Sequence, residues 1–194
     1  MTAFHRKQVK HFDEPGDCHE LTFSCYQRMH LLSNDCWREM LSRSIDRATE
    51  GHNFLLIAFV YMPEHVHLLV YPQRLPSKIE GLLQAVKRPF SYRIKQILLA
   101  ATSPLLDRLT VQERPGKLAF RFWQEGPGYD RNLATPGAVQ AAIDYIHLNP
   151  VRRGLVSDPM EWRWSSRRFY ASGGNVNDPA LPRIFSLPPE FWDP

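Results

Sequence analysis

No stretch of this 194-residue chain holds the roughly 20 consecutive apolar residues that cross a bilayer. The opening "MTAFHRKQVKHFDEPGD" also lacks the apolar segment of a secretory leader. A cytoplasmic protein without a membrane partner is therefore expected. Cysteine is scarce: Cys18, Cys25 and Cys36 are odd in number and lack CxxC spacing. That argues against a disulfide framework or a zinc knuckle and for reduced, structural thiols. There is no internal repeat, and neither sign of charge dominates, since 24 Lys and Arg against 20 Asp and Glu give a net charge of only +4. Apolar residues at 43% and charged residues at 23% are the proportions of an ordinary globular protein, which disfavours disorder and fibrous folds. At this length one domain is expected.

What is present is a recurring mixture of basic and aromatic residues, in "FHRKQVKHF", "VKRPFSYRIK", "FRFWQ" and "EWRWSSRRFY". Guanidinium and ammonium groups neutralise phosphates while aromatic rings offer faces to unpaired bases, a combination suited to single-stranded nucleic acid. The same mixture also arises where long basic side chains lie over a core.

Periodicity gives the architecture. "HELTFSCYQR" alternates like a half-buried strand, and "NDCWREMLSRSIDRATEG" has helical spacing, with Asn34 as N-cap and Gly51 as stop. "FLLIAFVYM" and "HVHLLVYP" read as a hairpin turning through Met62, Pro63 and Glu64, because Pro63 cannot continue a central ladder. Ser77 is the expected cap of a long helix through "KIEGLLQAVKRPFSYRIKQILLA", which Pro89 should kink or divide. Residues from about 101 to 117 read as loop, "LAFRFWQEG" as a further strand, and "PGYDRN" as turn. A last helix starts at Thr135 and Pro136 and ends at "LNP". The order βαββα(β)α fits an α+β fold of ferredoxin-like or RRM-like kind, an antiparallel sheet with helices packed on one face. The Pro-, Gly- and Asn-rich C-terminal stretch should wrap over this domain or stay mobile.

Within "FVYMPEHVHLLVYP" two histidines stand one residue apart. Side chains at i and i+2 of a strand share a face, so His65 and His67 project together while Val66 and Leu68 point away. Two adjacent imidazoles can share a metal, or be satisfied polar groups without chemistry. A hard cation would need an oxygen donor from elsewhere. In "PGAVQAAIDYIHLN" an apolar stripe of Val139, Ala142, Ile143 and Ile146 is flanked by Tyr145 and Asn149, four apart and therefore neighbours. His147 falls on the opposite border and is the weaker ligand candidate.

"YMPEHVHLLV" together with "DYIHLNPVRRGLV", some eighty residues apart, resembles the IS200-like transposases with a single catalytic tyrosine, in particular their REP-associated tyrosine transposase branch. The likeness runs from about residue 19 to residue 166, leaving 167–194 as a C-terminal extension of one IS200-like domain. "FWQEGPGYDRNL" also matches the family's Trp-Gln to Asp-Arg segment, with "GPG" as an insertion. The resemblance implies that His65 and His67 are the ligands of an HUH motif, with Val66 as its hydrophobic residue. It further implies Tyr145 as nucleophile, Asn149 as third ligand, Mg²⁺ or Mn²⁺ as cofactor and a single-stranded DNA hairpin, a repetitive palindromic element, as partner. Mobile relatives carry Gln where Asn149 stands, and the REP-associated branch carries Asn.

The chemistry is coherent. A phenol with an ordinary pKa near 10 is protonated at neutral pH and attacks a phosphodiester only with a base or an aligned, polarised electrophile. A metal on His65, His67 and Asn149 would stabilise the developing charge. Tyr145 would then form a 5′-phosphotyrosine and free a 3′-hydroxyl, and reverse attack would rejoin the strand without ATP. Arg88, Arg93, Lys95, Arg121, Arg131, Arg152 and Arg153 are expected along the DNA backbone, and Trp123 either as a stacking platform or as part of the core. Two other classes compete: a non-catalytic hairpin-binding protein, which would bind without forming an adduct, and a zinc hydrolase on the HxH pair, which would tolerate loss of Tyr145. A monomer is expected, with a dimer as the alternative.

Overall fold

The computed structural model describes residues 16–74, 77–126, 128–176 and 178–192. The basic and aromatic "FHRKQVKHF" segment lies outside the described residues. Strand β1 (Cys18–Ser24) leads to helix α1 (Asp35–Gly51), which is followed by strands β2 (Phe54–Tyr61) and β3 (His65–Pro72) and helix α2 (Ile79–Ala100). Short helix α3 (Leu105–Leu109) opens a hairpin of β4 (Thr110–Arg114) and β5 (Lys117–Phe120). Strand β6 (Tyr129–Leu133), helix α4 (Pro136–Arg152) and short helices α5 (Arg167–Ala171) and α6 (Pro189–Trp192) complete the order. The main sheet runs β2-β3-β1-β6 and every pairing in it is antiparallel.

The α+β class with helices packed on an antiparallel sheet is borne out. Their placement on one face needs correction. β2 and β3 are apolar at almost every position, so both of their faces must be covered. Val66, Leu68 and Val70 of β3 join Leu41 and Ile45 of α1 and Leu82, Val86 and Phe90 of α2 in one core. The opposite face supplies Leu69, Val60 and Ile57, which pack with Val139, Ala142, Ile143 and Ile146 of α4. A bulge at Leu56 and Ala58 turns Ile57 and Ala58 both toward α4.

Local signals held in some places and were overruled in others. Asn34 caps α1 by accepting from Trp37 N, and Thr135 caps α4 by accepting from Ala138 N. α1 ends at Gly51 as expected, and the left-handed turn that follows is made by Asn53, with a φ of 57°. Ser77 does not cap α2, because its hydroxyl bonds back to Arg74 O and Lys78 takes the cap position. α2 is not divided at Pro89: Val86, Phe90, Ile94 and Leu98 are all buried against the sheet and hold the turns on either side together. α4 likewise continues through Pro150 to Arg152.

The stretch from 101 to 117 contains α3 and β4 rather than loop alone, and "LAFRFWQEG" yields only the end of β5, in the separate two-stranded sheet. "YDRNL", expected as turn, is the edge strand β6. The chain enters it at Gly128, whose φ of +82° and contact with Thr22 O exclude any Cβ. The C-terminal extension wraps: Leu187 joins the core on the α4 side and Phe185 N bonds to Leu56 O, while just before the extension Ser166 N bonds to Phe59 O and Trp164 O accepts from Tyr61 N along the same β2 edge. That edge is therefore closed to further strands.

Candidate functional site

Alternation along β3 puts His65 and His67 on the face that α4 covers, while the register pairs Thr22 with His67 and Ser24 with His65. Both rings are buried, 7% and 5% exposed, at the end of β3 next to the turn. Their Nε2 atoms lie 3.0 Å apart, and Asn149 Nδ2 of α4 stands 3.2 Å from His67 Nε2. The amide's oxygen and nitrogen exchange by a simple flip, so Asn149 can offer either atom to this point. Each ring is held from behind. Thr22 Oγ1 is 2.8 Å from His67 Nδ1, and Glu64 Oε1 is 3.1 Å from His65 Nδ1, at an angle too bent for a full hydrogen bond.

Burial lowers the pKa of both histidines. His67 is pushed down to about 3 by desolvation, with His65 adding to the effect. His65 is lowered by desolvation against the pull of Glu64. Both are therefore neutral near pH 7, with lone pairs available. Two neutral Nε2 atoms at 3.0 Å repel unless a proton or a cation lies between them. Among the described residues no three of His, Cys, Asp and Glu gather to hold an ion; the third polar side chain at this point is the Asn149 amide.

Tyr145 lies one turn before Asn149 on α4. Its ring meets His67 of the same chain edge-on at 5.5 Å, and Arg152 Cζ lies 5.1 Å over its other side. At 38% exposed, Tyr145 forms the open side of an otherwise enclosed cluster. Two surface pockets, of about 350 and 540 Å³, lie elsewhere, one along the C-terminal wrap and one beside Tyr71 and Phe191. His147 does not reach the cluster: its Nε2 meets Ser166 Oγ at 2.8 Å.

The basic residues divide. Arg152 and Arg153 stand at the site, but Arg153 is paired with Glu64 at 2.8 Å. Arg131 pairs with Glu20 at 2.8 Å, and Arg121 pairs with Glu113 at 3.0 Å and Glu125 at 3.4 Å. Arg88, Arg93 and Lys95 lie on α2, which covers the opposite face of the sheet, so a DNA path from the histidines does not lead directly to them. Of its two readings, Trp123 takes the core one rather than the platform. It is 7% exposed and packed against Phe23, Phe90 and Phe122 with ring centroids 4.9, 5.4 and 4.7 Å away, where no base can stack on it. The sequence reading missed Thr22 and took Glu64 only as a turn residue. Their roles depend on strand register and on the approach of α4, which no local signal reports.

A strand HxH facing a tyrosine helix across an antiparallel α+β sheet is the arrangement implied by the IS200-like resemblance. The comparisons narrow it: the chain is similar to REP-associated tyrosine transposases. No family model matches the chain. A Haemophilus influenzae protein assigned as a REP-associated tyrosine transposase is 26% identical over 117 residues, 60% of this chain and 61% of that protein. The match thus spans about three-fifths of that relative's length. The solved structure of a REP-associated tyrosine transposase bound to a REP hairpin covers 93% of this chain and 99% of its own at 20% identity, with a TM-score of 0.65, and so shares the fold. A crystal structure of a Deinococcus radiodurans protein assigned as a transposase covers 73% of this chain at 16% identity and a TM-score of 0.45. No described helix is long and apolar enough to cross a membrane.

Proposed function

We propose that this chain nicks and rejoins single-stranded hairpin DNA through a covalent bond to Tyr145, with Mg²⁺ or Mn²⁺ held by His65, His67 and Asn149. The observation that carries the reading is the convergence of these three side chains at 3.0 and 3.2 Å beside the Tyr145 ring of the same chain. Adjacent ligands at right angles about a cation bound at about 2.1 Å are spaced roughly 3 Å apart, so the donor set fits such an ion. A divalent ion bound there would supply charge stabilisation to a phosphoryl oxygen.

The chain's own residues do the rest. Tyr145 Oη attacks phosphorus in line and loses its proton, a P–O bond forms to the phenol, and the bond to the 3′ oxygen breaks, leaving a 3′-hydroxyl and a 5′-phosphotyrosine. Attack by a 3′-hydroxyl reverses the step, since one phosphodiester replaces another. Arg152 braces the phenol ring and brings positive charge to the incoming phosphate. A flexible single strand can place its phosphate against the exposed side of Tyr145 without melting a duplex.

The test is incubation with single-stranded hairpin oligonucleotides and Mn²⁺, scored for a protein–DNA adduct that survives denaturing electrophoresis. Wild type should give the adduct and Tyr145→Phe none. Tight hairpin binding without an adduct under any divalent ion would replace the enzymatic reading with the binding-protein one.

A further inference from the structure

We propose that Glu64 is a positioning residue for His65, held in place by Arg153; this rests on the metal-site reading above. Glu64 lies in the turn between β2 and β3 and is only 3% exposed, an unusual place for a carboxylate. Its Oε1 faces two groups: His65 Nδ1 at 3.1 Å and Arg153 Nη2, which donates at 2.8 Å. The turn itself is fastened by backbone bonds, with Cys25 N donating to Glu64 O at 2.8 Å, Leu32 N to Pro63 O at 2.9 Å and Met62 N to His65 O at 2.9 Å. The carboxylate therefore has little room to turn elsewhere.

At 3.1 Å, and with the angle too bent for a full hydrogen bond, the carboxylate charge still favours the His65 tautomer that carries its proton on Nδ1 and leaves the lone pair on Nε2. Thr22 occupies the equivalent place behind His67. Arg153 follows Asn149 by one turn, its own N–H bonding Asn149 O at 3.0 Å. The Glu64–Arg153 pair thus ties the end of α4 that bears Tyr145 and Asn149 to the turn that precedes the histidines. A deletion of Glu64 would leave Arg153 unpaired and His65 free to adopt either tautomer.

The experiment uses the full chain and Mn²⁺ alone. Long-range ¹H–¹⁵N NMR, recorded without metal, reads the His65 tautomer, and titration calorimetry reads Mn²⁺ affinity for wild type, Glu64→Ala and Glu64→Gln. Wild-type His65 should be the Nδ1–H tautomer. Glu64→Ala should mix the tautomers and weaken Mn²⁺ binding about 10- to 100-fold. Glu64→Gln, which keeps an acceptor oxygen, should retain the tautomer and most of the affinity, and it stands in if the alanine variant fails to fold. Wild-type affinity and an unchanged tautomer in Glu64→Ala would overturn the proposal, as would an Nε2–H tautomer in wild type. Absence of Mn²⁺ binding by wild type would instead overturn the metal reading, while the tautomer measurement would still decide the role of Glu64.

Discussion

His147 and the pair His65 and His67 are almost equally buried, 3% against 7% and 5% exposed, yet their surroundings differ. His147 closes a network within the protein. Its Nε2 meets Ser166 Oγ at 2.8 Å, Ser166 is in turn held by Phe59 N at 3.0 Å and Phe59 O at 3.3 Å, and the ring packs edge-on against Tyr170 at 5.1 Å. The pair does the reverse. Thr22 Oγ1 engages His67 Nδ1 from behind and the Glu64 carboxylate faces His65 Nδ1, while the two Nε2 atoms meet each other and Asn149 Nδ2 meets that of His67. Burial therefore does not separate the two settings. They differ in what the inner nitrogen meets: a hydroxyl fixed by the backbone for His147, another imidazole and an amide for His67.

The largest expected effect breaks the comparison at its exposed member. Tyr145→Phe removes one oxygen from a ring that is 38% exposed and should reduce adduct formation to background while leaving the melting temperature nearly unchanged. His147→Ala should give the opposite pattern. The cavity and the unpaired Ser166 should cost about 2–3 kcal/mol, measured by urea unfolding, with adduct formation intact below the melting range. His67→Ala separates the two further. It removes one of the facing nitrogens, so Mn²⁺-dependent adduct formation should fall by more than about 100-fold. If His147→Ala abolished the adduct while His67→Ala preserved it, the assignment of roles would be reversed.

Acid should act on the structural histidine through the fold. His147 is held down to about 4 by burial, with Arg167 adding to the effect, whereas an unfolded chain titrates near its ordinary value of 6.5. Because the folded pKa is the lower one, the unfolded state takes up the proton first. The stability this histidine contributes is complete above pH 6.5 and is lost as pH falls toward 4. Between pH 7.5 and pH 5 that amounts to about 2 kcal/mol. His67, held down to about 3, should add a similar slope over the same range. Unfolding curves at both pH values, with and without His147→Gln, measure the first part; an unchanged slope in that variant would show that the titration lies elsewhere.

The sequence made the site more legible than the sheet that holds it. Spacing alone placed His65 beside His67 and Tyr145 beside Asn149, and the apolar stripe of α4 showed which side of the helix would be buried. Strand β6 was missed because "YDRNL" has no apolar alternation. Its inward polar residues are satisfied by partners more than a hundred positions away, Asp130 by His19 at 3.1 Å and Asn132 by Asp17 at 3.1 Å. Trp123 was left open between platform and core for a related reason: a tryptophan close to an arginine reads either way until Phe23, Phe90 and Phe122 are seen to close over it. The placement of α4 on the second face required seeing that β2, apolar throughout, and the run 68–70 of β3 leave no polar side to face water, which the sequence does state.

The smallest effect contrasts the two ends of α4. At its start Thr135 Oγ1 accepts from Ala138 N at 3.3 Å, and at its far end Tyr145 and Asn149 meet His67, Arg152 lies over Tyr145 and Arg153 pairs with Glu64. Thr135→Ala should cost about 1 kcal/mol through the lost cap. The apolar stripe from Val139 to Ile146 anchors the intervening turns on the sheet, so fraying at the first turn should not propagate to Tyr145. Adduct formation at 25 °C should therefore match wild type while the melting temperature falls by a few degrees. A proportionate loss of adduct with the cap would mean that α4 moves as one rigid lever on the sheet, and the two ends would then have to be treated as a single functional element.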